Sequence, residues 1–141
     1  MNTVHTLQEY VDALRAAGIL AGCTVPEALL ARGVECLTYD TRTLRENALF
    51  ICKGAHFKED YLRDALSRGA FAYVAGQQHD VDAPCILVSD IRYSLVVLGQ
   101  LFFDRVTDKL TSVGITGTKG KSTTAYYVRY ILNDWLRAKN K

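Results

Sequence analysis

A glycine-rich segment near the C-terminal end of the chain has the residue types needed to hold a phosphate group. It reads GITGTKGKST over residues 114–123. Glycines allow backbone N–H groups to turn inward around an anion, and a helix that begins at the loop adds its partial positive charge. Lys121 could then reach the outer phosphates of a nucleotide, and the hydroxyl group of Ser122 could bind a magnesium ion.

This segment differs from the general nucleotide-binding pattern G-x-x-x-x-G-K-[ST], because Ile115 stands at the first glycine position. Gly114 and Gly117 lie on either side of it. A glycine-rich turn that contains GKS by accident is the alternative interpretation. The predicted order of strand, loop and helix favours a phosphate-binding loop.

The elements that must position the loop are predicted to be a strand over residues 109–116 and a helix over residues 121–137. They form a second unit that begins near Thr107. One strand and one helix cannot bury their own apolar faces. We therefore expect this helix to expose apolar surface, and either to be mobile or to pack against another copy of the chain. Its aromatic residues favour a core role over ligand contact: Tyr126, Tyr127, Tyr130.

The first hundred residues alternate between strand-like and helix-like patterns, which is typical of an α/β fold. A capping-box pattern at Thr6–Glu9 begins the first predicted helix, and Asp90 can cap the last one. The predicted strands are residues 34–39, 48–53, 70–75 and 85–89. The predicted helices are residues 7–17, 26–31, 59–68 and 91–105.

Composition limits the classes of function. The net charge of +2 across 141 residues gives no strong attraction to nucleic acid or to an anionic membrane. The N-terminus lacks a signal-peptide pattern, and the apolar run over residues 95–103 is too short to span a bilayer, so we expect a cytoplasmic protein. The cysteine spacing does not fit a metal site, and we expect three cysteines to be small buried hydrophobic residues: Cys36, Cys52, Cys85.

The glycine loop resembles the ATP loop of the Mur ligases and their relatives, G-x-T-G-T-x-G-K-[ST]-T. The resemblance implies an enzyme that uses ATP and Mg²⁺ to join an amino group to a carboxylate. It implies a catalytic role for Lys121 and a metal-binding role for Ser122. Lysine at position 119, where most members have asparagine, is similar to a lysine-adding branch of the MurE type. The residues that the resemblance places on ATP are Gly117, Thr118, Lys119, Gly120, Lys121, Ser122 and Thr123.

The residues that precede the loop also resemble the MurE and MurF types, which begin with a domain for the UDP end of the substrate. The matching segments are YDTR at 39–42, LFICKG at 49–54, and Ala65 with Gly69–Ala70. The folylpolyglutamate synthetases have a shorter lead-in, and MurC and MurD begin with a dinucleotide-binding pattern that this chain lacks. MurF loops usually read T-G-S, so Thr118 favours MurE.

Six residues match the positions that meet the uridine and diphosphate in MurE: Tyr39, Thr41, Arg42, His56, Phe57, Lys58. A hydroxyl group and a cation suit phosphate oxygens, and an aromatic ring could stack on uracil. Asp40 and Arg42 could instead be a turn cap with a surface ion pair, and His56 could be an ordinary loop residue. The family's D-G pair after this loop is missing, so the loop is shorter here.

The resemblance therefore implies a UDP-MurNAc-substrate domain over residues 1–106, a mixed sheet with flanking helices, followed over residues 107–141 by the start of an ATP-binding domain. The full-length relatives add L-lysine or meso-diaminopimelate to UDP-MurNAc-L-Ala-D-Glu through an acyl-phosphate. We expect residues 1–141 by themselves to be inactive. The alternatives are a MurF-type ligase and a stand-alone nucleotide-binding module. A compact P-loop kinase is disfavoured, because no acidic strand follows Ser122.

Overall fold

A five-stranded sheet forms the centre of the first of two units in the computed structural model, which describes residues 3–54 and 57–139. The units are Met1–Lys109 and Leu110–Lys141. The strands are β1 Leu20–Cys23, β2 Cys36–Thr38, β3 Ala48–Ile51, β4 Ala70–Ala75 and β5 Cys85–Val88. Their order is β1-β5-β4-β3-β2, with β2 to β5 parallel and β1 antiparallel to β5.

Helices connect or flank these strands. They are α1 Leu7–Ala16, α2 Glu27–Leu30, α3 Glu59–Ser67, α4 Ile91–Phe102 and, in the second unit, α5 Lys121–Lys139. Short 3₁₀ helices lie at Thr41–Thr43 and Val106–Lys109. The predicted capping box is confirmed, since the Thr6 hydroxyl accepts from the Glu9 N–H while the Glu9 carboxylate accepts from the Thr6 N–H. Asp90 caps α4 by accepting from the N–H groups of Arg92 and Tyr93.

The sheet is buried on both faces, which gives a three-layer α/β/α unit. Because successive side chains of a strand point to opposite faces, Leu49 and Ile51 lie in the cluster that α1 and α4 cover. Phe50 lies on the other face, in the cluster that α3 covers through Leu62. Fully burying a leucine or phenylalanine side chain contributes about 1.5–3 kcal/mol, so the two clusters are the main source of stability of this unit.

The α/β fold class is confirmed, and so are the four predicted strands of the first unit: β4 has the predicted bounds, and the other three are shorter than predicted. The sequence reading missed β1, where Gly22 interrupts the strand pattern and alternate residues are exposed. The last predicted helix of this unit ends at Phe102 rather than residue 105. The reason is that Asp104 and Arg105 have φ of 51° and 50°, outside the range of a right-handed helix.

The predicted strand over residues 109–116 is wrong. Lys109 ends the second 3₁₀ helix, and residues 111–117 form neither helix nor strand. A strand needs a hydrogen-bonded neighbour, and the described part of the second unit contains none. The helix that follows is present, and its residues are all exposed. The three tyrosines at positions 126, 127 and 130 are therefore not core residues in this chain: their exposed fractions are 74%, 68% and 69%.

Candidate functional site

An open cavity of about 500 Å³ lies in the first unit, where the parallel strands β2 and β3 end. In open α/β sheets the carboxyl ends of parallel strands are the usual place for a ligand. Its walls combine aromatic rings with both signs of charge. The residues that line it are Tyr39, Asp40, Thr41, Arg42, Phe50, Lys53, Gly54, Phe57 and Tyr61.

The turn after β2 is held in place by the buried hydroxyl group of Thr38. This oxygen accepts the N–H of Asp40 at 3.0 Å and lies 2.8 Å from the hydroxyl oxygen of Thr43. The backbone closes the turn, because the N–H of Thr43 donates to the carbonyl oxygen of Asp40 at 3.1 Å. Thr41 is therefore presented at the cavity wall by a hydrogen-bonded turn.

Asp40 and Arg42 form a close ion pair on this turn. The Nε of Arg42 lies 2.9 Å from Oδ1 of Asp40, and its Nη2 lies 2.6 Å from Oδ2. The Asp40 carboxylate also accepts the Arg42 N–H at 3.0 Å. These bonds to Arg42 lower the pKa of Asp40 to about 2. The geometry is thus that of a turn cap and surface ion pair, the alternative interpretation of these two residues, although both also line the cavity.

Lys53 follows β3 and faces the ring of Tyr39, which follows β2. Its Nζ lies 4.8 Å from the ring centroid, within the range of a cation–π contact. Tyr39 is 58% exposed, so its ring is open to a ligand. The contact joins the ends of two adjacent strands, whose register places Thr38 beside Phe50.

Phe57 packs against the loop that connects β4 and β5. The ring of His79 lies 5.2 Å from that of Phe57 and 6.0 Å from that of Tyr73. The His79 Nδ1 lies 3.6 Å from a carboxylate oxygen of Glu59, the first residue of α3. Phe57 therefore rests on a packed aromatic group, which favours a fixed position for its ring at the cavity wall.

The structure brings together four of the six residues predicted to contact a nucleotide: Tyr39, Thr41, Arg42, Phe57. Lys58 is exposed and does not line the cavity, and His56 lies outside the described residues. The sequence reading missed Lys53, Phe50 and Tyr61 as cavity residues. The signal for Lys53 was present, because it follows a buried strand at the edge where Tyr39 also emerges.

The glycine loop of the second unit leads directly into α5. Gly117 and Gly120 have φ of 151° and 78°, conformations that residues with a side chain rarely adopt. The N–H of Thr124 donates to the carbonyl oxygen of Gly120, so the amides of residues 121–123 come before the first bond of this helix. The ammonium group of Lys121 lies over the loop, 2.6 Å from the carbonyl oxygen of Gly117.

These residues fit the phosphate groups of a nucleotide. The loop offers unpaired amides at a helix start, a lysine ammonium group above them, and the exposed hydroxyl groups of Ser122 and Thr123. Over residues 3–54 and 57–139, no cluster of three or more His, Cys, Asp or Glu side chains could bind a metal.

Solved structures of Mur ligases share this fold. The D-alanyl-D-alanyl ligase of Acinetobacter baumannii that acts on UDP-N-acetylmuramoylalanyl-D-glutamyl-2,6-diaminopimelate superposes with a TM-score of 0.62 at 20% identity. The superposition covers 87% of this chain and 26% of that one. A crystal structure of MurF from the same organism gives 0.55 at 17% identity, over 71% and 21% of the two chains. The fold is that of a Mur ligase N-terminal domain.

Curated relatives show a closer similarity in sequence. The UDP-N-acetylmuramoyl-L-alanyl-D-glutamate–L-lysine ligase of Enterococcus faecalis is 42% identical over 111 residues, which are 78% of this chain and 22% of that enzyme. The UDP-N-acetylmuramyl-tripeptide synthetase of Ligilactobacillus salivarius is 42% identical over 100 residues, 70% and 19% of the two chains. No family model matches the chain. The chain belongs to the Mur ligase family, and its curated relatives are of the MurE type.

The chain spans about a fifth of the length of these curated relatives. Within the described residues, no helix is long and apolar enough to cross a membrane.

Proposed function

We propose that residues 1–106 bind the UDP end of UDP-MurNAc-L-Ala-D-Glu, and that residues 107–141 begin the ATP-binding part of a ligase that adds a diamino acid, L-lysine or meso-diaminopimelate. In that reaction, the substrate carboxylate takes the terminal phosphoryl group of ATP and ADP leaves. The amine of the amino acid then attacks the acyl carbon, and phosphate leaves as the amide bond forms. The names of the E. faecalis and streptococcal relatives favour L-lysine.

The cavity at the ends of β2 and β3 is the observation that carries the substrate part of this proposal. A UDP group combines a flat base with two phosphates, and the cavity combines aromatic rings with a hydroxyl group and cations. Tyr39 and Phe57 offer faces for stacking, which contributes about 1–3 kcal/mol per base. Thr41 can donate a hydrogen bond to a phosphate oxygen, and Arg42 lies beside it.

The glycine loop supports the ATP part of the proposal. Amides of residues 121–123 can donate to phosphate oxygens, and Lys121 can leave the carbonyl oxygen of Gly117 for the terminal phosphate. Bound Mg²⁺ would neutralise charge on the phosphates, and the Ser122 hydroxyl would be the ligand that this chain contributes. Localisation in the cytoplasm, where such precursors and ATP occur, belongs to the same proposal.

A calorimetric titration of this chain with UDP-MurNAc-L-Ala-D-Glu tests the substrate part, with UDP as the comparison ligand. We expect both to bind saturably, because the shared UDP group supplies the contacts. Phe57→Ala should weaken both by about tenfold, since it removes one stacking surface. Thr111→Val serves as a control, because Thr111 is exposed and lies outside the cavity. Failure of both ligands to bind the unsubstituted chain would contradict the proposal.

The MurF-type alternative predicts a different preference. A MurF-type domain would take the UDP-linked tripeptide, whereas the MurE type takes the dipeptide. If the chain is a stand-alone nucleotide-binding module, it should bind UDP without being part of a ligase. Continuation of the reading frame beyond Lys141 at the source locus would separate that module from a ligase.

A further inference from the structure

The cavity at the ends of β2 and β3 contains two cationic side chains with different surroundings. The guanidinium of Arg42 contacts both carboxylate oxygens of Asp40, at 2.9 Å and 2.6 Å. Its charge is therefore already matched by a carboxylate on the same turn. A phosphate that bound Arg42 would have to compete with this pair or approach the negative charge of Asp40.

The surroundings of Lys53 are different. Within residues 3–54 and 57–139, no ion pair involves its ammonium group, which lies over the face of the Tyr39 ring, 4.8 Å from the centroid. The aromatic face attracts the cation but leaves its three N–H donors available to an incoming acceptor. Since Asp40 and Arg42 offset each other, Lys53 gives the cavity one net positive charge.

We infer that Lys53 binds the phosphate groups of the nucleoside diphosphate and that the Asp40–Arg42 pair holds the turn instead. This inference rests on the proposed function and deepens it, because it names the anion-binding residue of the same cavity. Lys58, the cation implied by the family resemblance, is exposed outside the cavity lining. One face of the Tyr39 ring positions the ammonium group, and Phe57 and the exposed remainder of the Tyr39 ring stay available for stacking on the base.

Binding of UDP and of uridine to the chain by calorimetry separates the phosphate contact from the rest of the site. Lys53→Met keeps an apolar stem over Tyr39 and removes the charge. We expect it to weaken UDP binding by about 10- to 100-fold, the range for one hydrogen bond to a charged group. Uridine, which has no phosphate, should bind the variant and the unsubstituted chain equally. Lys53→Arg should retain most of the UDP affinity.

A matched control is available in the second unit. Lys139 also lies over an aromatic ring, that of Trp135, at 4.3 Å. Lys139→Met removes the same charge and the same type of contact outside the cavity, so it should leave UDP binding unchanged. The affinity of the unsubstituted chain for UDP should also fall with added salt, and Lys53→Met should reduce that dependence.

Equal UDP affinity for Lys53→Met and the unsubstituted chain would overturn the assignment of Lys53 and leave the proposed function intact. An equal loss of UDP and uridine binding would also overturn it, because that result means a structural role. If the unsubstituted chain bound neither UDP nor UDP-MurNAc-L-Ala-D-Glu, the proposed function and the inference would both be overturned.

Discussion

The four cysteines differ in their exposure to solvent, and three of them are buried. Cys36, Cys52 and Cys85 are buried, whereas Cys23 at the end of the edge strand β1 is exposed. Burial raises the pKa of the Cys52 thiol to about 12 and also raises that of Cys85. Because the thiolate is the reactive form, the buried thiols should be inert in the folded chain.

We expect one thiol of the four to react rapidly with an aromatic disulfide reagent at pH 8, and all four after denaturation. Cys23→Ser should abolish the rapid phase, while Cys36→Ser should leave it unchanged. A stoichiometric count of released thiolate in native buffer and in denaturant gives both values. Rapid reaction of two or more thiols in the native chain would contradict the burial described for the sheet.

Several cavity residues could be predicted before the structure was known, but the contacts that these residues make with one another could not. Tyr39, Thr41 and Phe57 were predicted from the family resemblance, and the structure places all three at the cavity wall. The pairing of Arg42 with Asp40 could only be left open, because a turn and a binding site use the same residue types. The position of Lys53 after a buried strand was visible in the sequence, but its contact with the Tyr39 ring was not, because that contact depends on β2 and β3 being neighbours in the sheet.

At the scale of the elements, two glycines offer a sharp comparison. Gly69 lies between α3 and β4 with φ of 114°, and a Cβ there would lie 3.0 Å from Cα of Glu46. Gly99 lies inside α4, where a Cβ would meet no atom within 4 Å. Glycine is required at position 69 by the backbone conformation. Gly99 weakens α4, which an alanine at this position would stabilise.

Gly69→Ala should therefore lower the free energy of unfolding by about 1–2 kcal/mol, the cost of a left-handed conformation with a side chain. Gly99→Ala should raise it by up to about 1 kcal/mol. Urea denaturation followed by circular dichroism measures both changes. A stable Gly69→Ala variant would show that the α3–β4 connection can adopt another conformation at little cost.

His5 connects the start of α1 to the exit of α4. Its Nδ1 lies 3.1 Å from Oε1 of Glu9, and its Nε2 lies 2.9 Å from Oδ1 of Asp104. The bond to Glu9 is the largest cause that raises the pKa of His5, although partial burial opposes it. Both carboxylates favour the protonated ring, so the contact is strongest when the imidazole is charged.

The stabilising contribution of His5 should be complete at pH values below the pKa of His5 in the unfolded chain, near 6.5. It should be lost as the pH rises through the higher pKa of His5 in the folded chain. His5→Gln should therefore lower Tm more at pH 5.5 than at pH 8.5. Thermal denaturation of both chains across this pH range measures the difference. An equal change in Tm at both pH values would contradict a charged His5 in the folded chain.

The predicted elements of the first unit were recovered because each has its own periodicity and end signals, such as the Thr6–Glu9 capping box. The strand predicted over residues 109–116 failed for a different reason. Its sequence is strand-like, but a strand exists only beside another, and no local pattern can supply the neighbour.

At the scale of the whole molecule, α5 presents an apolar surface of unusual extent. Ile131 is 64% exposed and Trp135 is 53% exposed, together with the tyrosines on the same helix. Large exposed apolar patches favour association. We therefore expect the chain to associate with itself through this helix as its concentration rises.

Trp135 is the single tryptophan of the chain, so its fluorescence reports on α5. Its emission should be that of an exposed indole at low concentration and should shift to shorter wavelength as association covers it. Ile131→Glu should reduce the association measured by sedimentation, whereas Val4→Glu, at an exposed site in the first unit, should not. A monomer at all concentrations would contradict this prediction.

The hydrogen bonds around Asp104 have a consequence for how this part of the chain could be rearranged. The N–H of Thr3 donates to Oδ2 of Asp104 at 3.0 Å, so the backbone before α1 and the backbone after α4 meet at one spot on the surface of the first unit. A segment bounded by two points this close can be moved between proteins as a cassette, because its removal or insertion leaves the host backbone nearly uninterrupted. The same closeness would let a short linker join the ends in a circular permutant with new termini in an exposed loop.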